Sequence, residues 1–134
     1  MPQMIFVNLP VTDVARSRTF YEALGWKINE KFSDASGACV VISDTIYLMI
    51  LNHAKFASFA TKPLADPATS TAVMTAFSAD SREAVDALAQ AALAAGGSEP
   101  KPAMDMGFMY GRTFHDPDGN VLEAFWMDPA AAAA

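Results

Sequence analysis

The chain carries one local pattern twice, and this repetition constrains its fold more than any other feature. An extended apolar run meets an aspartate, and a helical stretch that ends at a glycine follows. The first copy runs from Ile5 to Gly25 around Asp13, and the second from Val73 to Gly96 around Asp80. Aspartate accepts hydrogen bonds from the first backbone N–H groups of a helix, and glycine allows the left-handed conformation that ends one. The pattern recurs after half of the 134-residue chain, which indicates an internal duplication.

Each copy is followed by three short extended runs. They cover Lys27–Lys31, Gly37–Ser43 and Ile46–Asn52 in the first copy, and Glu99–Lys101, Gly107–His115 and Val121–Met127 in the second. The sequence Asp116-Pro117-Asp118-Gly119 is a strong turn signal, because proline sets the bend and glycine takes the positive φ. In the second helix Val85, Leu88, Ala92 and Leu93 form an apolar stripe for a sheet to cover. Each copy is therefore predicted to be a βαβββ module.

These modules divide the chain simply. We expect one domain over residues 1–129, with module one at 3–53, a linker at 54–71 and module two at 72–128. Pro63 and Pro67 mark the linker, and the alanine tail 130–134 carries no fold information.

Composition excludes several classes of function. The net charge of −6 disfavours nucleic acid, which needs clustered lysine and arginine. No apolar stretch approaches the roughly 20 residues that cross a bilayer. The sequence Met1-Pro2-Gln3 does not resemble a secretory signal, so we expect a cytoplasmic protein. Cys39 is the single cysteine, which excludes an internal disulfide and a thiolate-rich zinc site and favours a small buried residue.

The paired modules resemble the vicinal oxygen chelate superfamily, which contains glyoxalase I, extradiol dioxygenases and bleomycin resistance proteins. The phrases that carry the resemblance are "FVNLPVTDVARSRTFYEALGW", "DTIYLMILNHAKF" and "GFMYGRTFHDPDGNVLEAFWMDP". They are most similar to the subgroup described as predicted lactoylglutathione lyase. The resemblance covers Pro2 to Pro129 and implies an α+β fold, a curved, open mixed sheet or half-barrel with helices on its outer face.

The resemblance also implies a divalent metal held by four strand residues. The corresponding positions here are Phe6, Met49 (with Leu51 as the alternative register), Met74 and Glu123. Hard divalent ions need oxygen or imidazole ligands, and a thioether is a poor ligand for them. We therefore predict that the protein has no metal cofactor. Nickel, zinc or iron is expected only if the alternative function, a metal-dependent lyase or dioxygenase, is correct.

Glu123 alone keeps the character of a metal ligand. If His115 pairs with Asn120 across a four-residue turn, Arg112 lies opposite Glu123, Tyr110 lies opposite Phe125, and His115 points to the other face. Glu123 and Arg112 are then either a static ion pair, or a general base and an anchor for an anionic ligand. A metal-free acid/base enzyme that uses Glu123 is thus one alternative function.

The hypothesis that we favour is that the protein binds a small organic molecule in a cavity without metal. Its expected lining, mostly aromatic and thioether, is Phe6, Asn8, Met49, Leu51, Met74, Tyr110, Arg112, Glu123 and Phe125. The loop Met104–Met109 is either an adaptable lid, core filling or a dimer contact. The family resemblance further implies a homodimer.

Overall fold

The computed structural model describes residues 1–132 of the chain. The strands are β1 (Ile5–Val11), β2 (Lys27–Asp34), β3 (Gly37–Val41), β4 (Ile46–Asn52), β5 (Met74–Ser78), β6 (Met104–Asp105), β7 (Met109–His115) and β8 (Val121–Met127). The helices are α1 (Val14–Ala23), α2 (His53–Phe59), α3 (Arg82–Ala94) and α4 (Pro129–Ala132). The predicted α+β fold of two tandem βαβββ modules is confirmed. None of the helices in this range is long and apolar enough to cross a membrane.

The duplication appears as two sheets of identical topology. The strand order is β1-β4-β3-β2 in the first sheet and β5-β8-β7-β6 in the second. In both, the first strand pairs in parallel with the last strand of its module, and the other pairs are antiparallel. Within residues 1–132 no strand ladder joins one sheet to the other.

The helix ends follow the predicted capping chemistry with one correction. The Asp13 carboxylate accepts a hydrogen bond from the backbone N–H of Arg16 and begins α1 as expected. In α3 the cap is Ser81 and not Asp80, because the Ser81 hydroxyl reaches the N–H of Ala84 at 3.0 Å. Serine and aspartate are nearly equivalent caps, so the sequence alone does not choose between neighbours.

Two further differences concern short elements. The predicted linker contains α2, which begins where the Asn52 side chain accepts a hydrogen bond from the Lys55 N–H. The strand expected at Glu99–Lys101 is absent from the described chain; β6 lies a few residues later, and Ser98 forms only an isolated bridge to His115.

One apolar core joins the two modules. The α1 side of the first sheet and the α3 side of the second contribute to the same cluster of buried side chains. Trp26 of module one packs edge-on against Phe77 of module two, with ring centroids 5.1 Å apart. On α3, Val85, Ala89 and Ala92 are fully buried, whereas Leu93 is exposed. The face of each sheet turned away from α1 or α3, here called its distal face, lies outside this core.

The turn between β7 and β8 differs from the prediction by one residue. The pair that closes it is Asp116 and Asn120, with an N–H to O=C bond of 3.0 Å, so the loop contains three residues and not four. Gly119 has φ +96°, as a three-residue hairpin loop with a left-handed third position requires. His115 therefore pairs with Val121 and not with Asn120. A slip of one residue moves every side chain of a strand to the other face relative to its partner.

The Asp116 carboxylate connects this turn to module one. It accepts hydrogen bonds from the Tyr21 hydroxyl at 2.8 Å and from the Asn120 backbone N–H at 2.9 Å. The Asn120 amide in turn donates to the Pro10 carbonyl, and the Asp118 carboxylate accepts from the Thr12 N–H. Burial raises the pKa of Asp116, while the bonds from Asn120 and Tyr21 act in the opposite direction.

We predict that Tyr21→Phe lowers the free energy of unfolding at neutral pH by about 2 kcal/mol, because a buried carboxylate loses a donor. As the pH falls through the raised pKa of Asp116, the group takes up a proton and the loss shrinks. Urea unfolding at neutral and acid pH measures both values. The control is Tyr47→Phe, whose hydroxyl donates to the exposed Asp44 carbonyl. Equal losses for the two variants, or a loss independent of pH, would contradict the role of Asp116.

Candidate functional site

The distal face of the first sheet brings four of the expected residues together. Asn8 pairs with Met49, Pro10 pairs with Leu51, and Phe6 pairs with Tyr47. The rings of Phe6 and Tyr47 are stacked, with centroids 4.6 Å apart and planes within 10° of each other. Tyr47 was not among the predicted residues, although its alternation with Met49 and Leu51 along β4 places it on the same face. This face is therefore an aromatic and thioether surface with the amide of Asn8 as a polar group.

The distal face of the second sheet holds Glu123, but not with the partner expected. Thr113 lies opposite Glu123 and donates a hydrogen bond from its hydroxyl to the carboxylate at 3.3 Å. Ala76 lies on its other side. Within residues 1–132 Glu123 makes no salt bridge. Met74 and Phe125 share this face one alternation step from Glu123, as predicted.

Arg112 and Tyr110 lie on the opposite face, against α3, so the predicted ion pair of Arg112 with Glu123 is wrong. Arg112 pairs in register with Ala124, and Tyr110 with Trp126. The cause is the three-residue turn, which shifts the register by one. The same shift places His115 on the face of Glu123, contrary to expectation.

A polar network around Arg112 occupies the α3 face of the second sheet. Its guanidinium binds Glu99 through two hydrogen bonds of 2.8 Å and Asp86 through a third of 3.1 Å. The bonds from Arg112 lower the pKa of Glu99, and those same partners raise the pKa of Arg112. Asp86 also accepts a hydrogen bond from the Tyr110 hydroxyl, which lowers its pKa. The guanidinium of Arg112 is therefore occupied by Glu99 and Asp86, and the bond to Asp86 connects β7 to α3.

A cavity of about 350 Å³ lies beside the outer edge of β1, where the two modules and the linker meet. Four segments form its wall: β1 at Val7–Pro10, α2 through Phe56, the end of the linker with the start of module two from Ala60 to Val73, and the turn and start of β8 at Gly119–Val121. Of the nine residues predicted to line a cavity, only Asn8 belongs to it. The other lining residues were not predicted, because the sequence gives no signal that the linker folds over β1.

Comparison with known proteins agrees with this architecture. Residues 3–43 match the family model described as bleomycin resistance protein-like N-terminal. A hypothetical protein of S. aureus is 26% identical, with 94% of each chain covered and a TM-score of 0.78. A glyoxalase/bleomycin resistance protein/dioxygenase family enzyme from Burkholderia phytofirmans is 20% identical over 94% of this chain and 99% of its own, with a TM-score of 0.76. A fosfomycin resistance protein from Mesorhizobium loti is 16% identical over 100% and 99%, with a TM-score of 0.70.

The chain therefore shares its fold with solved structures described as glyoxalase/bleomycin resistance proteins, and its residues 3–43 carry a bleomycin resistance protein-like sequence match. No curated protein matches its sequence.

The residues at the metal positions that the resemblance to the vicinal oxygen chelate superfamily implies do not fit a divalent ion. Phe6 offers a ring stacked on Tyr47, Met49 and Met74 offer thioethers, and Glu123 offers one carboxylate. Across residues 1–132 no three His, Cys, Asp or Glu side chains are grouped so that they could hold a metal. Hard ions require oxygen or nitrogen donors, so this donor set cannot retain one against water.

We predict that Arg112→Met destabilises the protein by about 2 kcal/mol, since two carboxylates lose their charged donor. Because the pKa of Glu99 is lowered in the folded protein, the stabilisation that Arg112 provides depends on pH. It is present above the unfolded pKa of Glu99 and is lost as the pH falls through the folded pKa. The difference in the free energy of unfolding between wild type and Arg112→Met should therefore become smaller at acid pH. Chemical denaturation across this pH range measures it.

The matched control is Glu123→Gln, which keeps an acceptor for Thr113 and should change stability by less than about 0.5 kcal/mol. A larger loss for Glu123→Gln than for Arg112→Met would reverse our assignment of the two groups.

Proposed function

We propose that this protein is a member of the vicinal oxygen chelate superfamily that binds a small, mainly apolar organic molecule without a divalent metal, in the cavity beside β1. The cavity volume of about 350 Å³ carries the proposal. It falls within the range of about 300–1,000 Å³ that is usual for small-molecule sites, towards its lower end. The ligand is accordingly small.

The lining indicates which chemistry the ligand has. Phe56, Leu64 and Pro67 supply apolar surface, while the Asn8 amide and the Lys62 ammonium supply polar contacts. β1 is an edge strand here, so its outer edge also presents backbone groups that no neighbouring strand occupies. A flat or elongated apolar body with one polar or anionic group would satisfy these contacts.

Catalysis by Glu123 has less support. The groups expected to stabilise developing negative charge, Arg112 and Tyr110, lie on the opposite face of the sheet and are held by Asp86 and Glu99. A metal-dependent lyase or dioxygenase would need donors that Phe6, Met49 and Met74 do not provide. Binding is therefore the function that we favour over either reaction.

We predict that anilinonaphthalene sulfonate, an apolar aromatic anion, binds the native protein and that Ala60→Phe abolishes the binding by filling the cavity. Ala57→Phe adds the same volume on α2, outside the cavity lining, and should leave affinity unchanged. Treatment with EDTA should also have no effect. Fluorescence titration measures all four samples. Unchanged affinity in Ala60→Phe, or loss of binding in EDTA, would overturn the proposal.

We also infer that the protein is a homodimer. Its accessible surface is 7768 Å², whereas about 6,800 Å² is expected of a folded monomer of 14.3 kDa. The excess is comparable to the roughly 800 Å² that each partner buries in a standard interface. Exposed apolar side chains cluster at the starts of the edge strands β1 and β5: Met4, Ile5, Phe6, Val73 and Met74.

We predict a dimer at micromolar concentration that Met74→Glu converts to monomer, because a carboxylate would be buried in an apolar interface. Leu93→Glu, an equivalent change on the exposed side of α3, should leave the dimer intact. Sedimentation velocity distinguishes the species. A monomeric wild type, or a Met74→Glu dimer of unchanged affinity, would exclude an interface at these strands.

A further inference from the structure

Three methionines lie side by side at one end of the second sheet, where β6, β7 and β8 run next to one another. Met106 continues the β6 ladder and donates its backbone N–H to the Met109 carbonyl at 2.8 Å. Met109 in turn pairs in register with Met127 of β8. We call Met106, Met109 and Met127 the methionine row. A fourth thioether, Met104, lies one alternation step from Met106 along the same strand.

All these side chains occupy the distal face. The residue between Met104 and Met106, Asp105, binds Arg82, and the Arg82 guanidinium lies over the rings of Tyr110 and Trp126 on the α3 face. Successive side chains of a strand alternate between faces, so Met104 and Met106 point away from α3. Met109 and Met127 share that face, because Tyr110 and Trp126 occupy the other.

The spacing within the row suits a common ligand. Asp128 donates its N–H to the Phe108 carbonyl, which makes Met109 and Met127 a non-hydrogen-bonded pair. The Cα atoms of such pairs are about 4.5 Å apart and their side chains approach most closely. Gly111 follows in the same face of β7 and adds no side chain, so space remains beside Met104 and Met109.

The backbone under the row is held in place by contacts on the opposite face. Gly107 turns the hairpin with φ +79°, and the Asp105 carboxylate accepts its N–H at 2.9 Å. Arg82 binds the same carboxylate through two hydrogen bonds and the Gly107 carbonyl through a third. The three thioethers therefore project from fixed positions, while their own unbranched chains remain adjustable.

From this arrangement we propose that the methionine row binds a soft monovalent cation, Cu(I) or Ag(I), through its three thioether sulfurs. Thioethers select soft d10 ions over the hard divalent ions that this chain cannot hold. The net charge of −6 favours the approach of a cation. Because a thioether has no proton to lose, affinity should be constant across the pH range in which imidazole and thiolate sites weaken.

The test is anaerobic titration of the full chain with Cu(I) against a chromogenic chelator, and with Ag(I) while methionine methyl signals are followed by NMR. We expect one equivalent to bind, with shifts confined to the methyl groups of Met104, Met106, Met109 and Met127. Met109→Leu should weaken binding by more than the roughly tenfold that loss of an outer partner costs a metal site. Met49→Leu, which removes a thioether of the first sheet, is the matched control and should bind as wild type does.

Cys39 is the competing soft ligand and is tested separately. It is 2% exposed and lies in the other module, so Cys39→Ala should retain the site. Loss of binding in Cys39→Ala, an affinity that falls in acid, or equal affinity in Met109→Leu would each overturn the proposal.

Discussion

The Asp116 carboxylate is the interaction on which the rest of the structure depends. It fixes the turn between β7 and β8 through Asn120, and it holds that turn against module one through Tyr21. Burying a carboxylate without hydrogen-bond donors costs free energy, and the hydrogen bonds from Tyr21 and Asn120 offset this cost only if both residues are in place. Turn geometry and module packing are therefore coupled, and neither is expected to persist without the other.

The register set by this turn divides the second sheet into two chemical surfaces. On the α3 face, Arg112 and Tyr110 join Asp86 and Glu99 in a network that fastens the helix. On the distal face, Glu123 is left with Thr113 among apolar and thioether side chains. A turn longer by one residue would exchange these surfaces and bring Arg112 to Glu123. The difference between a static polar network and an active ion pair thus rests on a single loop residue.

Most of the fold could be predicted from the sequence because its signals are local. The bounds of β1 and β8 and the Asp13 cap follow from alternation and capping chemistry. The register of the last hairpin could not, since Asp116-Pro117-Asp118-Gly119 is compatible with loops of three or four residues. The choice depends on Tyr21, far away in the sequence. The site prediction failed for Arg112 and Tyr110 for this reason. That Asn8 and Met49 lie on the same face could be predicted, because it follows from the alternation of side chains along each strand.

The same turn also shapes the cavity beside β1. Gly119 lines that cavity, and a Cβ placed on it would lie 2.6 Å from the Pro67 carbonyl oxygen. The turn can approach the linker this closely only because glycine lacks a side chain and tolerates φ +96°. Since the linker forms much of the cavity wall, the contact between Gly119 and Pro67 fixes the volume available to a ligand. Any side chain at residue 119 would displace the linker and so enlarge or collapse the cavity. If the proposed binding function holds, packing between the modules therefore governs affinity, and the residues at the implied metal positions do not.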